Sequence, residues 1–315
     1  MVGSSREGPE GGARRQWLSA PDAAERPVQA LIIGHITRDL LPQGGWRPGG
    51  AAYYAGVTAH RLGLRVGVVT SAPADICAAV CAELDDVALI AVESGTATTF
   101  ENVYTPAGRV QYLRASAQPL TLDDIPQAWR RCEVALLAPV ANELAPDLAA
   151  GLTARIIGAA PQGWLRAWGA DGRVHPRKLD ASGVAALRRL SALILSREDL
   201  TGPAADAAAL ASAERILAEW TGLVPLIVVT RGSEGAELRR GGAVERFPGY
   251  PARELDPTGA GDVFAATFLC ALAASGDAAA AVDRANRVAA LSVEGLGASA
   301  IPTPAQVATR YATQA

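Results

Sequence analysis

The sequence predicts an α/β protein in which helices cover both faces of a mostly parallel central sheet, giving three layers. Short apolar runs alternate with stretches of helical pattern along most of the chain. Hydrophobic residues make up 50% of the 315 residues, which is enough to bury both faces of such a sheet. Strands buried on both faces are near-continuous apolar runs, and parallel strands need helical crossovers, so these observations together favour this class.

The elements follow one another in a regular order from residue 28. Apolar runs that are too short for helices predict strands at residues 30–35, 65–71, 133–138, 155–158, 190–195 and 226–230. Helical patterns occupy residues 51–62, 183–190, 204–220, 261–275, 278–293 and 304–311. Two stretches break the alternation, because residues 98–113 and residues 236–247 have the alternating polarity and central glycines of β-hairpins.

Composition and charge exclude several classes of protein. Lys and Arg total 29 against 32 Asp and Glu, and this balance argues against a nucleic-acid-binding or membrane-surface protein. No apolar run reaches the ~18 residues that a membrane span needs. Residues 1–27 are rich in Gly, Arg and Glu and lack the apolar core of a secretory signal. We therefore expect a disordered leader over residues 1–27 and one cytoplasmic domain over residues 28–315.

The strongest chemical signal is the stretch Asp256-Pro-Thr-Gly-Ala-Gly-Asp-Val-Phe264. Gly259 and Gly261 flank the start of a helix that is apolar almost all round and is therefore predicted to be buried. The N-terminus of such a helix offers free N–H groups and the positive end of the helix dipole, which together bind anions. Asp262 falls in the first turn, where it could act as a general base kept ionised by the dipole.

Two other interpretations of this stretch compete with the anion site. Asp262 could simply cap the helix, as an isolated Asp at a helix start usually does. The glycines could belong to a dinucleotide-binding motif, but Phe264 stands where that motif needs its third glycine, and no clear strand precedes it. The P-loop is also excluded, because the only lysine, Lys178, lies outside any GxxxxGK[ST] pattern.

The motif DPTGAGD followed by an apolar helix resembles the second signature of the ribokinase/PfkB carbohydrate kinase family, and the resemblance extends over nearly the whole chain from residue 28. The stretch Gly34–Asp39 is similar to the family's first strand, which ends in a substrate-binding aspartate, here Asp39. Gly49 and Gly50 resemble the diglycine at which the backbone approaches the sugar. The stretch Thr230–Gly235 resembles the family's nucleotide loop. The residues that the resemblance assigns to nucleotide binding are Thr230, Gly232, Gly235 and Asn286.

The resemblance implies a ribokinase-like fold with a small β lid, for which residues 98–113 are the candidate, and an ATP-dependent kinase as the function. Asp262 would take the proton from a substrate hydroxyl. The N–H groups of Gly259, Ala260 and Gly261 would stabilise the charge on the transferred phosphoryl group. Mg²⁺ would bridge the ATP phosphates.

The resemblance also implies metal-binding residues. In many family members a monovalent cation such as K⁺ is bound by groups equivalent to Asp256 and Thr258. The family's N-x-x-E motif for metal and phosphate appears here as Ser196-Arg-Glu-Asp199, which assigns Asp199 to Mg²⁺ but departs from the family at both ends.

Several further features resemble the myo-inositol kinases of the plant type. The spacing from Asp39 to Gly49 is short, and Tyr54 replaces the usual sugar-binding Asn. Tyr54 is expected to form an aromatic wall for the substrate, and the alternative is that it points into the core with its ring packed under the helix. A Q-x-x-x-R element places Gln162 and Arg166 towards the substrate or its phosphate, although Arg166 could equally be a packing or surface arginine.

These features predict a small polyol or sugar as the substrate, with myo-inositol as the first candidate. Ribose, fructose, a keto-deoxy sugar acid and a nucleoside remain alternatives, as does a catalytically silent protein that binds nucleotide or sugar as a regulator. We expect a monomer or a homodimer with no nucleic-acid or membrane partner.

Overall fold

The structure is a computed structural model that describes residues 5–6, 16–18, 22–105, 108–202 and 205–312. The strands of these residues are β1 (Ser5–Arg6), β2 (Gln16–Leu18), β3 (Ala30–Ile33), β4 (Thr37–Leu40), β5 (Trp46–Gly49), β6 (Val66–Ala72), β7 (Ala88–Glu93), β8 (Thr99–Thr105), β9 (Gly108–Ala115), β10 (Arg131–Leu137), β11 (Thr153–Ala159), β12 (Arg166–Trp168), β13 (Val174–Pro176), β14 (Ala192–Ser196), β15 (Leu226–Thr230), β16 (Ala236–Arg240) and β17 (Ala243–Phe247). The α-helices are α1 (Ala51–Arg61), α2 (Ala74–Val80), α3 (Ala181–Ala186), α4 (Arg197–Thr201), α5 (Ala207–Thr221), α6 (Ala260–Ser275), α7 (Ala278–Ser292) and α8 (Pro304–Tyr311).

The large sheet has the strand order β1-β2-β7-β6-β3-β10-β11-β14-β15-β16-β17. Its central strands, from β7 to β15, are parallel to one another, and both edges are antiparallel. From β3 the chain builds outward through β6 and β7 and then returns to the other side of β3 with β10. The strand order therefore reverses between β3 and β10, and open α/β sheets bind ligands beyond the carboxyl ends of the strands at such a point.

Two apolar clusters cover the two faces of this sheet. Successive residues of β3 alternate between them, with Ile32 in the cluster that includes α1 and α6, and Leu31 and Ile33 in the opposite cluster. α6 is buried from Val263 to Ala273 and approaches the sheet so closely that a β-carbon on Gly158 would lie 2.5 Å from Leu269. This arrangement confirms the predicted three-layer α/β fold and the predicted burial of the helix after the glycine motif.

A second sheet has the strand order β5-β4-β8-β9 and forms the lid. The β8–β9 hairpin confirms the hairpin that the sequence predicted over residues 98–113 and belongs to this small sheet. β4 and β5 join it as an antiparallel pair in which Asp39 is opposite Arg47. The second predicted hairpin is β16–β17, whose turn glycines Gly241 and Gly242 both have positive φ angles.

The beginning of the chain differs in part from the sequence prediction. Gln16–Leu18 pairs with β7 instead of being disordered, and Leu18 is buried at the sheet edge. Residues 22–27 are also held, because the indole nitrogen of Trp129 donates to the carbonyl oxygen of Arg26 at 2.9 Å. The prediction of a disordered leader is wrong for these residues, and the rest of residues 1–27, apart from the short strand β1, lies outside the described part of the chain. No helix among the described residues is both long enough and apolar enough to cross a bilayer.

Candidate active site

The N-terminus of α6 lies where the carboxyl ends of the central strands open onto the lid. Gly259 precedes the helix in the left-handed conformation, with φ +81°, and no side chain caps the helix. In the described part of the chain the amides of Gly259 and Gly261 have no backbone acceptor, whereas the amide of Ala260 donates to the carbonyl oxygen of Pro257 at 3.2 Å. Two of the three predicted anion-binding amides are therefore available, and Ala260 differs from the prediction because the turn already uses its N–H group.

Tyr54 forms the floor beneath this turn. Its side chain is 1% exposed, and a β-carbon on Gly259 would lie 2.4 Å from its ring. Its hydroxyl has no hydrogen-bond partner among the described residues, and burial raises its pKa. The predicted aromatic wall is therefore wrong, because Tyr54 packs under residues 259–261, which we call the anion-binding turn, and presents no open face to a substrate.

The pKa of the Asp262 carboxyl group is higher than that of an ordinary aspartate. This carboxyl group lies in the first turn of α6 and burial raises its pKa to about 7, an effect that the positive charge of Arg166 opposes and that the carboxylates of Asp199 and Asp39 reinforce. Desolvation thus outweighs the helix dipole that the sequence argument expected to keep it ionised. A carboxylate with a pKa near neutrality is well matched to accept a proton at physiological pH.

Asp39 lies in β4, on the lid side of Asp262. The hydroxyl of Thr37 donates to its Oδ1 at 2.8 Å. Gly49 makes room for the same carboxylate, because a β-carbon there would lie 2.3 Å from Oδ2 of Asp39. Gly50, with φ +90°, precedes α1, and a β-carbon there would lie 2.4 Å from the carbonyl oxygen of His35. The diglycine therefore lets the backbone pass close to the carboxylate that the sequence assigned to the substrate.

The Q-x-x-x-R element lies on the opposite side of the same cleft. The guanidinium of Arg166 lies 5.8 Å from the ring centre of Phe100 in the lid and is close enough to Asp262 to lower its pKa. The amide nitrogen of Gln162 donates to Oδ1 of Asp199 at 3.4 Å. Arg166 is thus near the predicted base, while Gln162 is turned towards the carboxylate at the start of α4.

The residues predicted to bind nucleotide line one pocket. Thr230, Gly232, Gly235 and Asn286 all line it, together with Gly261 at the N-terminus of α6. The rest of the lining includes the small apolar residues Ala289, Ala290 and Val293 and the polar residues Ser233, Tyr250 and Glu254. Gly235 is required at its position, because it has φ +96° and a β-carbon would lie 2.1 Å from the carbonyl oxygen of Phe247. The pocket therefore runs from a flat apolar region to the N-terminus of α6.

Asp256 and Thr258, which the resemblance assigned to a monovalent cation, are both bound by an arginine of the lid. Nη1 of Arg47 lies 2.6 Å from Oδ2 of Asp256, and Nη2 donates to the hydroxyl oxygen of Thr258 at 2.9 Å. The Arg47 side chain is 33% exposed and that of Asp256 is 9% exposed. Arg47 lowers the pKa of Asp256, although burial acts in the opposite direction.

Asp199 is the remaining residue assigned to a metal. Its Oδ2 accepts from the amide of Ser196 at 2.8 Å, so it caps α4. Among the described residues no three His, Cys, Asp or Glu side chains are grouped as a metal site. Mg²⁺ usually keeps several waters and binds one or two carboxylates together with substrate phosphates, so a single carboxylate beside the phosphate end of the pocket fits such an ion.

Three functional residues were missed or misplaced by sequence reasoning. Arg47 and Phe100 were not identified, because their partners are Asp256 and Arg166, far away in the sequence. Tyr54 was identified, but its ring was expected to face the substrate and instead packs against Gly259. α1 is buried along nearly its whole length, from Ala51 to Ala59, and its apolar pattern therefore gives no face to which a side chain could be assigned.

Comparisons with known proteins agree with this geometry. Residues 192–306 match the pfkB family carbohydrate kinases. Ribokinase of Bacillus subtilis (strain 168) is 38% identical over 96 residues, which are 30% of this chain and 33% of that protein, so the match spans about a third of that relative's length. Cytidine kinase of Thermococcus kodakarensis is 27% identical over 261 residues, which are 77% of this chain and 87% of that enzyme.

The fold as a whole also has solved counterparts. A pyrophosphate-dependent kinase of the ribokinase family, solved with a pyrophosphate analog and myo-inositol, superimposes with a TM-score of 0.74. The superposition covers 90% of this chain and 100% of the other at 21% identity, so it shows a common fold. Residues 192–306 are therefore similar to the pfkB family carbohydrate kinases, and the chain shares the three-layer fold of solved kinases of the ribokinase family.

Proposed function

We propose that this protein is an ATP-dependent kinase that transfers the γ-phosphoryl group to a hydroxyl group of a small polyol or sugar. The observation that carries the proposal is the position of Asp262. Asp262 follows the available amides of Gly259 and Gly261, at one end of the pocket that the predicted nucleotide-binding residues line, which we call the donor pocket. It also interacts electrostatically with Asp39 and Arg166 on the acceptor side. A proton acceptor, an anion-binding turn and a donor pocket thus meet at one helix N-terminus.

The chain's own residues account for the chemical step. Asp39 binds acceptor hydroxyls, and Asp262 accepts the proton from the hydroxyl that attacks the phosphoryl group. The amides of Gly259 and Gly261 donate to the oxygens of the transferred group as it becomes more negative. Arg166 adds a positive charge on the acceptor side. Bound Mg²⁺, near Asp199, would neutralise part of the charge on the donor phosphates.

The donor pocket favours a nucleoside triphosphate over pyrophosphate. Beyond the phosphate end, the walls formed by Ala289, Ala290 and Val293 are apolar and small, which suits a flat adenine ring. Pyrophosphate has no group that would use this region. ATP and pyrophosphate can be compared directly as donors, and a higher kcat/KM with pyrophosphate would contradict the assignment of ATP.

We propose myo-inositol as the acceptor. Arg166 and Asp39 both lie near Asp262, so a compact ring with a hydroxyl group on every carbon could bind Asp39 on one edge and Arg166 on another. A solved kinase of the same fold binds myo-inositol, and this supports the assignment. The aromatic stacking expected from Tyr54 does not contribute, because that ring is buried.

The acceptor assignment has an alternative that a specific observation favours. The relative from Thermococcus kodakarensis that aligns with most of this chain is a cytidine kinase, so a nucleoside acceptor is the second candidate. We propose to measure kcat/KM for myo-inositol, ribose, fructose and cytidine with saturating ATP and Mg²⁺. We expect myo-inositol to be preferred, and an advantage of about tenfold for cytidine or a furanose would overturn the inositol assignment.

The same assay tests whether the protein is an enzyme at all. A silent regulator would bind ATP and a sugar but release no ADP with any acceptor. Binding of ATP can be followed independently by calorimetry, so absence of turnover with retained ATP binding would contradict the kinase proposal. We further propose that the protein acts in the cytoplasm as a monomer or homodimer, which light scattering after size-exclusion chromatography would distinguish.

A further inference from the structure

The lid contributes a fixed positive charge to the loop that leads into the anion-binding turn. Arg47 lies in β5, directly opposite Asp39 on β4. Its guanidinium nevertheless reaches the loop before α6, where Nη1 donates to Asp256 and Nη2 donates to Thr258 and, at 3.4 Å, to Asp256 as well. One planar side chain therefore joins a lid strand to the segment that ends at Gly259.

The oxygen atoms of this loop are already used. Oδ2 of Asp256 accepts from Nη1 of Arg47 at 2.6 Å and from the amide of Gly297 at 3.4 Å, while Oδ1 accepts from the amide of Thr258 at 3.1 Å. The hydroxyl oxygen of Thr258 accepts from Nη2 of Arg47. The side-chain oxygens of Asp256 and Thr258, the two residues that the resemblance assigned to a monovalent cation, thus already accept from donors of the chain itself.

A free K⁺ ion does not fit this arrangement. K⁺ bound here would share the Asp256 carboxylate with Arg47, and the positive guanidinium that binds this carboxylate would repel the ion at close range. An arginine also remains charged at all pH values at which the protein is folded, and its forked donors match a carboxylate better than a spherical ion does. The site therefore carries its own cation.

We propose that Arg47 takes the place of a monovalent cation beside the anion-binding turn, so that phosphoryl transfer by this protein does not depend on K⁺. Arg47 acts as a positioning residue. It fixes Asp256 and Thr258, and these fix the turn that presents the amides of Gly259 and Gly261. The part of the proposal that concerns turnover rests on the proposed kinase function, whereas the occupation of the cation site by Arg47 does not.

The first experiment uses the unmodified protein. The melting temperature and, with the best acceptor, kcat are measured in KCl and in choline chloride at equal ionic strength. We expect the melting temperature to be the same in both salts and kcat to differ by less than about twofold, because no K⁺ is bound. A higher melting temperature or a several-fold higher kcat in KCl would overturn the proposal.

The second experiment removes the guanidinium. We expect Arg47→Ala to lower kcat in choline chloride by about 10–100-fold through misplacement of the turn. Addition of K⁺, NH₄⁺ or guanidinium chloride should restore part of this activity and raise the melting temperature of the variant, because the vacated oxygens then accept a free cation. Full activity of the variant without such cations, or a loss that none of them restores, would overturn the proposal.

A matched control separates this effect from a general weakening of the lid. Arg38 lies in β4 of the same lid sheet and forms an ion pair with Asp75, away from the anion-binding turn. Arg38→Ala should show no rescue by K⁺ in either measurement, and a rescue as large as that of Arg47→Ala would overturn the proposal. The melting-temperature measurements need no turnover, so a failure of the kinase assignment leaves the occupation of the site by Arg47 testable by itself.

Discussion

The ring of Tyr54 lies directly against the α-carbon of Gly259. A β-carbon at residue 259 would come within 2.4 Å of the Cδ1 and Cγ atoms of that ring, and the backbone there is in the left-handed region, with φ +81°. Both the ring and the backbone conformation therefore require glycine at this position, and the shape of the anion-binding turn depends on the contact.

We predict that Gly259→Ala lowers both stability and activity. The left-handed conformation costs a residue with a β-carbon about 1–2 kcal/mol, and the overlap with the Tyr54 ring adds about 1–3 kcal/mol. Denaturant unfolding should therefore show a loss of several kcal/mol, and kcat should fall because the amides are displaced. Gly261→Ala is the control, since a β-carbon there meets nothing within 4 Å and φ is not positive. Equal losses in the two variants would contradict the explanation.

Tyr54→Phe tests separately whether the hydroxyl of the ring beneath the turn contributes to stability or activity. The Tyr54 hydroxyl is buried without a hydrogen-bond partner among the described residues, so its removal costs no hydrogen bond. We expect the free energy of unfolding to stay the same or to rise, with kcat unchanged within about twofold. A large loss of stability would show that the hydroxyl has a partner that the structure does not describe.

Asp262→Asn should separate catalysis from binding. The amide occupies the same volume but accepts no proton, so kcat should fall by about 10²–10⁴-fold, while the affinity for ATP should change little. Turnover is measured by ADP release and ATP affinity by calorimetry. Near-normal turnover would show that Asp262 only caps the helix.

The raised pKa of Asp262, about 7, predicts how activity depends on pH. The base must be ionised, so kcat/KM should rise with pH up to about 7 and level off above it. A profile that is already flat between pH 5 and 8 would contradict this assignment of the pKa.

The same pKa predicts an effect on stability. A carboxyl group whose pKa is higher in the folded than in the unfolded state destabilises the fold as pH rises from about 4 to about 7. Asp262→Asn should therefore increase the free energy of unfolding at pH 8, on the order of 2 kcal/mol after allowing for partial exposure, and have little effect at pH 3.5. A stabilisation of the same size at both pH values would show that ionisation is not the cause.

Asp39→Ala should weaken binding of the acceptor and leave binding of ATP nearly unchanged. Asp39 lies on the lid side of Asp262, whereas the donor pocket lies on the other side, so KM for the acceptor should rise far more than KM for ATP. We expect an increase of at least about 10²-fold, because buried hydroxyl groups lose a charged acceptor. Asp75→Ala, in the first turn of α2, where Asp75 forms an ion pair with Arg38 of the lid, is the matched control. Equal effects of Asp39→Ala on both KM values would remove Asp39 from the acceptor site.

The sequence was a good guide to the main sheet and to the helices, because their signals are local. Buried parallel strands such as β3 and β15 are continuous apolar runs, and the glycine motif before an apolar helical pattern indicated the start of α6. The resemblance placed Asp39 at the end of the first strand, but that strand ends at Ile33 and Asp39 lies in the separate lid strand β4. β5 was not predicted, since Trp-Arg-Pro-Gly has neither an apolar run nor regular alternation. β4 and β5 each form a strand only because the other, together with β8, supplies its hydrogen-bond partners.

Contacts between distant residues limited the prediction of the site. The sequence identified Asp256 and Thr258 as a charged and polar pair next to the glycine motif, but nothing near them indicates that an arginine of the lid binds both. The direction of Tyr54 was equally undetermined, because it depends on the packing of α1 against α6 and not on the pattern of α1 itself.

The pair Arg47 and Asp256 joins residues that are 209 positions apart in the chain. A ribosome synthesises the acceptor-binding part and the lid first and adds the anion-binding turn only after about four fifths of the chain is complete, at about 5–20 residues per second. Until then Arg47 has no carboxylate from this loop to bind, and Tyr54 has no glycine turn above it. A chain that ends before this turn also lacks α6, which covers one face of the sheet, so we expect premature termination to yield inactive protein instead of a kinase with altered specificity.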